Sequence, residues 1–211
     1  AMVYNDAGIL RIGGAKDVVG IGETDNPIIR HPITHLPYVP GSSVKGKIRS
    51  LLESRYCPDS QKTGKPCGCG TCPVCALFGS GSHDTLRSPT RLVFRDSQPS
   101  ELTRTWWEDG GATSEVKMEV LVDRNRGIAG NRTLRTNERI PAGSDFDFSF
   151  SMRVFEGDDL PKFYLLLAEG FELLSKHYLG GSGSRGYGEV LVVDTEGKPM
   201  HEVLRERAKA G

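Results

Sequence analysis

Apolar and polar residues alternate along several stretches of the chain, and each alternation predicts an element. Phe146, Phe148, Phe150, Met152 and Val154 interleave with Asp145, Asp147, Ser149, Ser151 and Arg153, so 145–154 is expected to form a strand. Glu115–Val122 repeats the pattern, with Val116, Met118, Val120 and Val122 on one face and Glu115, Lys117 and Glu119 on the other. Arg91–Asp96 and Glu189–Asp194 read as shorter strands, and Leu10–Gly22 as a strand end followed by a glycine-rich loop. A different period marks two helices. Val44, Ile48, Leu51 and Leu52 form an apolar stripe behind Ser42 or Ser43, either of which can cap a helix start. Lys45 and Arg49 flank that stripe on one side and Lys47 on the other. Phe163, Leu166, Leu167, Gly170, Phe171, Leu174 and Tyr178 outline the second helix, with Pro161 in its first turn.

The predicted order is strand, helix, strand, long hairpin, strand, helix, strand. Two helices on one face of an antiparallel sheet make an α+β fold of the ferredoxin-like or RRM-like plan. The long connection, Asp123–Gly143, carries Arg124, Arg126, Arg132, Arg135 and Arg139 against only Asp123 and Glu138. Such a segment is either a projecting nucleic-acid contact or a solvated loop.

Composition changes this picture little. The 211 residues suit one domain, and 27 basic against 27 acidic residues give zero net charge. That balance argues against adhesion to nucleic acid by bulk charge, but not against a local basic groove. No apolar run approaches the ~20 residues of a membrane helix, so no membrane partner is expected. With no basic-then-apolar leader, and with cysteines unsuited to disulfides, the expected compartment is the cytoplasm.

Two glycine motifs nearly match nucleotide-binding loops. Gly41–Lys47 has the P-loop spacing G-x-x-x-x-G-K, but Ile48 stands where the magnesium-binding Ser or Thr belongs, and Gly46 and Lys47 fall inside the predicted helix. Gly181–Gly186 fits G-x-G-x-x-G, yet it follows a helix and opens a strand, the reverse of the dinucleotide-binding order. What survives is phosphate contact. Lys45, Lys47 and Arg49 lie near a helix N-terminus, and Ser182, Ser184 and Arg185 offer donors among glycines that allow close backbone approach. The five cysteines, Cys57, Cys67, Cys69, Cys72 and Cys75, include two CxxC pairs and point to a structural tetrahedral zinc site. Cys72 and Cys75 are expected as ligands, with two of Cys57, Cys67 and Cys69 completing the set and His83 a weaker stand-in.

Taken together, Leu10–Gly14, Ile21–Arg30 (IGETDNPIIR), Pro40–Arg49 (PGSSVKGKIR), Leu77-Phe78-Gly79, Phe94-Arg95-Asp96 and Gly180–Gly188 (GGSGSRGYG) resemble the RAMP superfamily of CRISPR-associated proteins. Within it the chain is most similar to the repeated backbone subunit of the type III-A (Csm) effector complex, from about Leu10 to Val193. The resemblance implies one RRM-like domain over 1–211, with a zinc-binding insertion at 57–80 and a thumb hairpin at 123–143. It implies copies of the chain along a CRISPR guide RNA, together with other type III effector subunits and a target RNA. Lys45, Lys47, Arg49, Ser182, Gly183, Ser184, Arg185 and Gly186 would then meet the guide backbone, and Arg124 and Arg132 would sit in the thumb. The family cleaves target RNA beside each thumb, and its required aspartate matches Asp25. Cleavage would need Mg2+ or Mn2+, with the ribose 2′-hydroxyl attacking the neighbouring phosphodiester. Read from its neighbours alone, Asp25 before Asn26-Pro27 is a turn-forming aspartate. The alternative is a non-catalytic, structural RNA-binding subunit of the same complex.

Overall fold

A computed structural model of the chain describes residues 2–4, 10–13, 24–80, 89–131 and 133–210. The strands are β1 (Met2–Tyr4), β2 (Leu92–Phe94), β3 (Gln98–Pro99), β4 (Glu115–Glu119), β5 (Val122–Asp123), β6 (Ile128–Ala129), β7 (Arg135–Arg139), β8 (Asp145–Asp147), β9 (Phe150–Met152) and β10 (Leu191–Val193). The helices are α1 (Gly41–Tyr56), α2 (Pro58–Thr63), α3 (Pro73–Phe78), α4 (Glu101–Glu108), α5 (Leu160–Ser175) and α6 (Met200–Ala210). The glycine-rich loop expected after Leu10, at 14–22, lies outside the described residues, as do Arg132 and His83.

A four-stranded antiparallel sheet runs β10-β1-β8-β3. Helix α1 falls between its first and second strands in sequence, and α5 between its third and fourth. The apolar stripe of α1 is buried as its period predicts: Val44, Ile48 and Leu52 are each fully buried. Opposite them, Leu166, Leu167, Phe171 and Leu174 of α5 are buried too. Gly170 lets the two helices close up, since a Cβ there would stand 2.5 Å from Ile48 Cγ2. A ring cluster of Phe94, Phe148, Phe150 and Phe171 fills the space beneath, with centroids 5.6–6.1 Å apart.

Four features depart from the periodicity. Helix α1 begins at Gly41, and neither Ser42 nor Ser43 caps it; Gly41 N–H donates to Asp96 Oδ1 at 2.8 Å. Gly41 abuts β2 so closely that a Cβ would meet the Phe94 and Arg95 carbonyl oxygens at 2.7 Å, so a remote aspartate replaces the local cap. The expected strand 145–154 is split, because β8 pairs with β1 and β3 whereas β9 pairs with β2. Its inward face stays continuous: Phe146 and Phe148 are buried. Glu115–Val122 stops at Glu119, and its burial is inverted: Val116, Met118 and Val120 are 54%, 68% and 50% exposed while Glu115, Lys117 and Glu119 are half-buried. The arginine-rich connection is also more ordered than a loop, since β7 pairs with β4 over its whole length and β5 with β6 beyond it.

Helices α4 and α6 have no counterpart in the expected order. Each buries only two residues, too few to raise a periodic signal. Ser100 caps α4 by accepting from Thr103 N–H at 3.1 Å, and buries Thr103 and Trp107. Met200 and Leu204 bury α6 against the body.

Candidate nucleic-acid interface and cysteine cluster

The two basic or glycine-rich segments meet at Tyr178. Lys47 Nζ sits 3.8 Å from the centre of the Tyr178 ring, and the His177 ring is tilted 42° beside it with centroids 4.4 Å apart. Gly183 lies against the same ring; a Cβ there would be 1.9 Å from Tyr178 Cγ. Burial lowers the pKa of Lys47 from the ordinary lysine value. The loop itself takes a left-handed path at Gly180, Ser182, Gly186 and Gly188. Arg11 fastens it, donating from Nη1 to Ser182 Oγ at 3.1 Å and accepting from Gly181 N–H at 2.8 Å. Ser184 and Arg185 remain exposed. Tyr178 and Arg11 thus join this site, and only the folded loop brings them there.

Lys45 and Arg49 are tied into the fold. Lys45 Nζ donates to Thr90 Oγ1 and to Leu92 O, each at 2.9 Å, and burial, then the charge of Arg49, lowers its pKa. Arg49 pairs with the buried Glu53 at 2.7 Å and donates to Cys67 O at 2.9 Å. Both side chains brace α1 against its neighbours.

Asp25 lies on a separate segment that packs against the hairpin. Its Oδ2 accepts from Thr136 N–H at 2.8 Å and Thr136 Oγ1–H at 3.1 Å, and its own N–H donates to Thr136 Oγ1 at 2.8 Å. Asn26 runs parallel to β7: its N–H donates to Thr136 O and its O accepts from Glu138 N–H, both at 3.1 Å. Glu138 anchors the next residues. It accepts from Ile28 N–H at 3.0 Å, Arg30 at 2.5 Å and Ser114 Oγ–H at 2.6 Å. Desolvation pushes its pKa up, but these donors outweigh it and hold the carboxyl below the usual range. Across the hairpin, Glu119 on β4 stands opposite Arg135 and binds Arg185 at 2.5 Å and Tyr187 Oη–H at 2.9 Å. Burial opposes ionisation there too, and Tyr187 and Arg185 overcome it. The polar face of β4 is therefore turned toward the glycine-rich loop, which explains its inverted burial. Arg124 and Arg126 are exposed in the turn at the tip.

In the cysteine segment, Cys67, Cys69, Cys72 and Cys75 place their sulfurs within 4.8 Å of one another. The Cys67–Cys72 and Cys69–Cys75 separations are both 3.9 Å. Sulfurs tetrahedral about zinc at ~2.3 Å would be about 3.8 Å apart, so the donor set fits that ion. Cys57 is buried and its sulfur lies 3.5 Å from Cys72 Sγ, but it falls outside this group of four. The Cys72 and Cys75 N–H groups donate to Cys69 and Cys72 sulfurs at 3.3 Å. Desolvation opposes ionisation of Cys69, but the Thr71 and Cys72 amides prevail and bring it to about 6. Burial instead raises Cys75.

The profile of the RAMP superfamily matches residues 9–191. The chain belongs to the RAMP superfamily. This RAMP protein is 40% identical over 196 residues to the CRISPR system Cms endoribonuclease Csm3 of Methanothermobacter thermautotrophicus, a match covering 86% of this chain and 77% of that one. It is 34% identical to the protein of the same name from Mycobacterium tuberculosis, covering 86% and 80% respectively. The fold is that of the Methanopyrus kandleri Csm3 crystal structure, with a TM-score of 0.61 at 24% identity, over 90% of this chain and 72% of that one. The Csm3–Csm4 subcomplex of a type III-A CRISPR-Cas interference complex gives a TM-score of 0.58 at 24% identity, over 100% and 92%. No helix among the described residues is long and apolar enough to cross a membrane.

Proposed function

We propose that this chain is a backbone subunit of a type III CRISPR ribonucleoprotein, binding guide RNA and cleaving complementary target RNA at regular intervals. The observation that carries this reading is the continuous linkage between its three functional parts. The glycine-rich loop is joined to β4 through Arg185 and Glu119, β4 is paired to β7, and β7 holds Asp25. A loop that grips the guide, a hairpin that enters the duplex and a carboxylate beside it would then move as one body. The names of its relatives, endoribonucleases of a CRISPR system, support the same reading.

In this account the palm is ferredoxin-like, supported by the sheet order and by the positions of α1 and α5 between its strands. The thumb is the hairpin that includes 123–143. Lys47, Ser182, Gly183, Ser184, Arg185 and Gly186 face the guide backbone, with Lys45 and Arg49 holding α1 in place. Arg124 follows the RNA from the tip of the thumb. Cys67, Cys69, Cys72 and Cys75 hold a structural Zn2+ in the insertion at 57–80. Other effector subunits and further copies of the chain complete the assembly.

Asp25 is exposed, held by fixed donors and within a site that RNA phosphates would complete. One carboxylate and substrate phosphates suffice for a hydrated divalent ion such as Mg2+ or Mn2+, which would offset charge on the cleaved phosphate. Asp25 would orient that ion or the 2′-hydroxyl, and the hairpin would align the attack. Asp25→Ala in a complex reconstituted with guide and target RNA is the test. Loss of cleavage with guide and target binding intact is expected; cleavage at the wild-type rate would leave a structural RNA-binding subunit.

A further inference from the structure

The attachment of the Asp25 segment to β7 has two separable parts among the described residues. Its backbone is held by Thr136 O, by Glu138 N–H and by the Glu138 carboxylate. The Asn26 side chain adds a bond to Asn137 Oδ1 at 3.0 Å, and Asn137 is buried. None of these bonds involves a side-chain atom of Thr136. The Thr136 hydroxyl does something else: it accepts from Asp25 N–H and donates to Asp25 Oδ2, closing a small ring on the carboxylate. An exposed aspartate ordinarily samples several rotamers. Two donors from one residue, the backbone N–H and the hydroxyl, select one of them. Thr136 lies on β7 directly after Arg135, whose cross-strand partner Glu119 holds the glycine-rich loop.

We infer that Thr136 is a positioning residue for target cleavage: its hydroxyl fixes the orientation of the Asp25 carboxylate relative to the thumb. This rests on the catalytic reading of Asp25. Misplacement of a reacting group by about 1 Å can cost on the order of a hundredfold in rate, so a bond that sets side-chain aim has large leverage.

The test uses the reconstituted complex with guide RNA, comparing single-turnover cleavage with the complex in saturating excess over target for wild type, Thr136→Val, Thr136→Ser and Asp25→Asn. Thr136→Val keeps the β-branched shape and the backbone N–H but removes the hydroxyl. Its rate is expected to fall roughly tenfold, as befits a lost hydrogen bond to a charged group. The concentration of complex giving half-maximal rate should not change, and Thr136→Ser should recover most of the rate. A wild-type rate in Thr136→Val beside an inactive Asp25→Asn overturns the positioning role and leaves Asp25 catalytic. A wild-type rate in Asp25→Asn overturns both. Should Thr136→Val fail to assemble, the serine variant decides: a rate as low as that of Asp25→Asn, in an assembled complex, rules out the hydroxyl as the determinant.

Discussion

The cysteine segment and the β4–β7 hairpin both leave the same body of sheet and helices, but opposite forces hold them. The cysteine segment is fastened from within, by four sulfurs arranged for a metal and by Val74, Leu77 and Phe78, which are buried in the core. Its link to α1 runs through Glu53, which accepts from Cys67 N–H at 2.9 Å. The hairpin is fastened by charge, Glu119 to Arg185 and Glu138 to Arg30, while Glu115 and Arg139 join its own two strands. Its apolar side chains point outward, with Leu121, Val122, Ile128 and Leu134 more than half exposed as well. A module whose sulfurs face one another around a single point and whose apolar residues enter the core is satisfied from within. A hairpin with an uncovered apolar face and ion-paired back is arranged to be covered by something else.

Breaking the cysteine module should have the largest effect on stability. Cys75→Ser removes a buried member of the four-sulfur group and, if that group holds the proposed zinc, is expected to cost on the order of 4 kcal/mol, as for loss of a structural metal. For a chain of this size that lowers Tm by roughly 8–16 °C. Thermal melting with zinc analysis checks it, and chelation of the wild type should reproduce the shift. Cys57→Ser should retain one zinc per chain; loss of the metal would put Cys57 in the ligand set and displace Cys69.

Next comes the hairpin root. Glu138→Ala leaves the Arg30 guanidinium, 31% exposed, without its carboxylate, and should cost about 2 kcal/mol. Amide exchange at Asn26 and Ile28 should quicken, and the cysteine segment should keep its protection. Acid reports on the same bonds. The carboxyls of Glu119 and Glu138 are held below their unfolded values, so their contribution is complete above the ordinary carboxylate range. It disappears as pH falls through their folded values. Salt separates the two regions: it should loosen the Arg185–Glu119 pair, whose arginine is exposed, whereas only a chelator should loosen the sulfur cluster.

What was legible in the sequence follows the same division. The stripes of α1 and α5 and the inward aromatic residues of 145–152 could be read because burial alone selects them. The sulfur cluster was legible because ligand spacing is local in the chain. The start of α1 was not, since Asp96 caps Gly41 from 55 residues away. Likewise, nothing near Lys45 or Arg49 reveals that Leu92 O and Cys67 O await them. Only the resemblance singles out Asp25; its partner Thr136, 111 residues on, exists only once β7 is folded beside it.

The strand β4 is where alternation misleads, and it supplies the smallest expected effect. A two-residue period says which residues share a face but not which face is buried. Here Arg139, Arg185 and Tyr187 line the body side, so Glu115, Lys117 and Glu119 turn inward and Val116 and Met118 turn out. Met118→Gln should then change the stability of the isolated chain by no more than about 0.5 kcal/mol, as for an ordinary surface position. In the assembled complex the same change should weaken whatever covers that face, read as faster dissociation of target RNA or of the neighbouring subunit. A Tm loss in the isolated chain comparable to that of Cys75→Ser would mean that the face is already covered, and the hairpin would then be fastened by apolar burial like the cysteine segment.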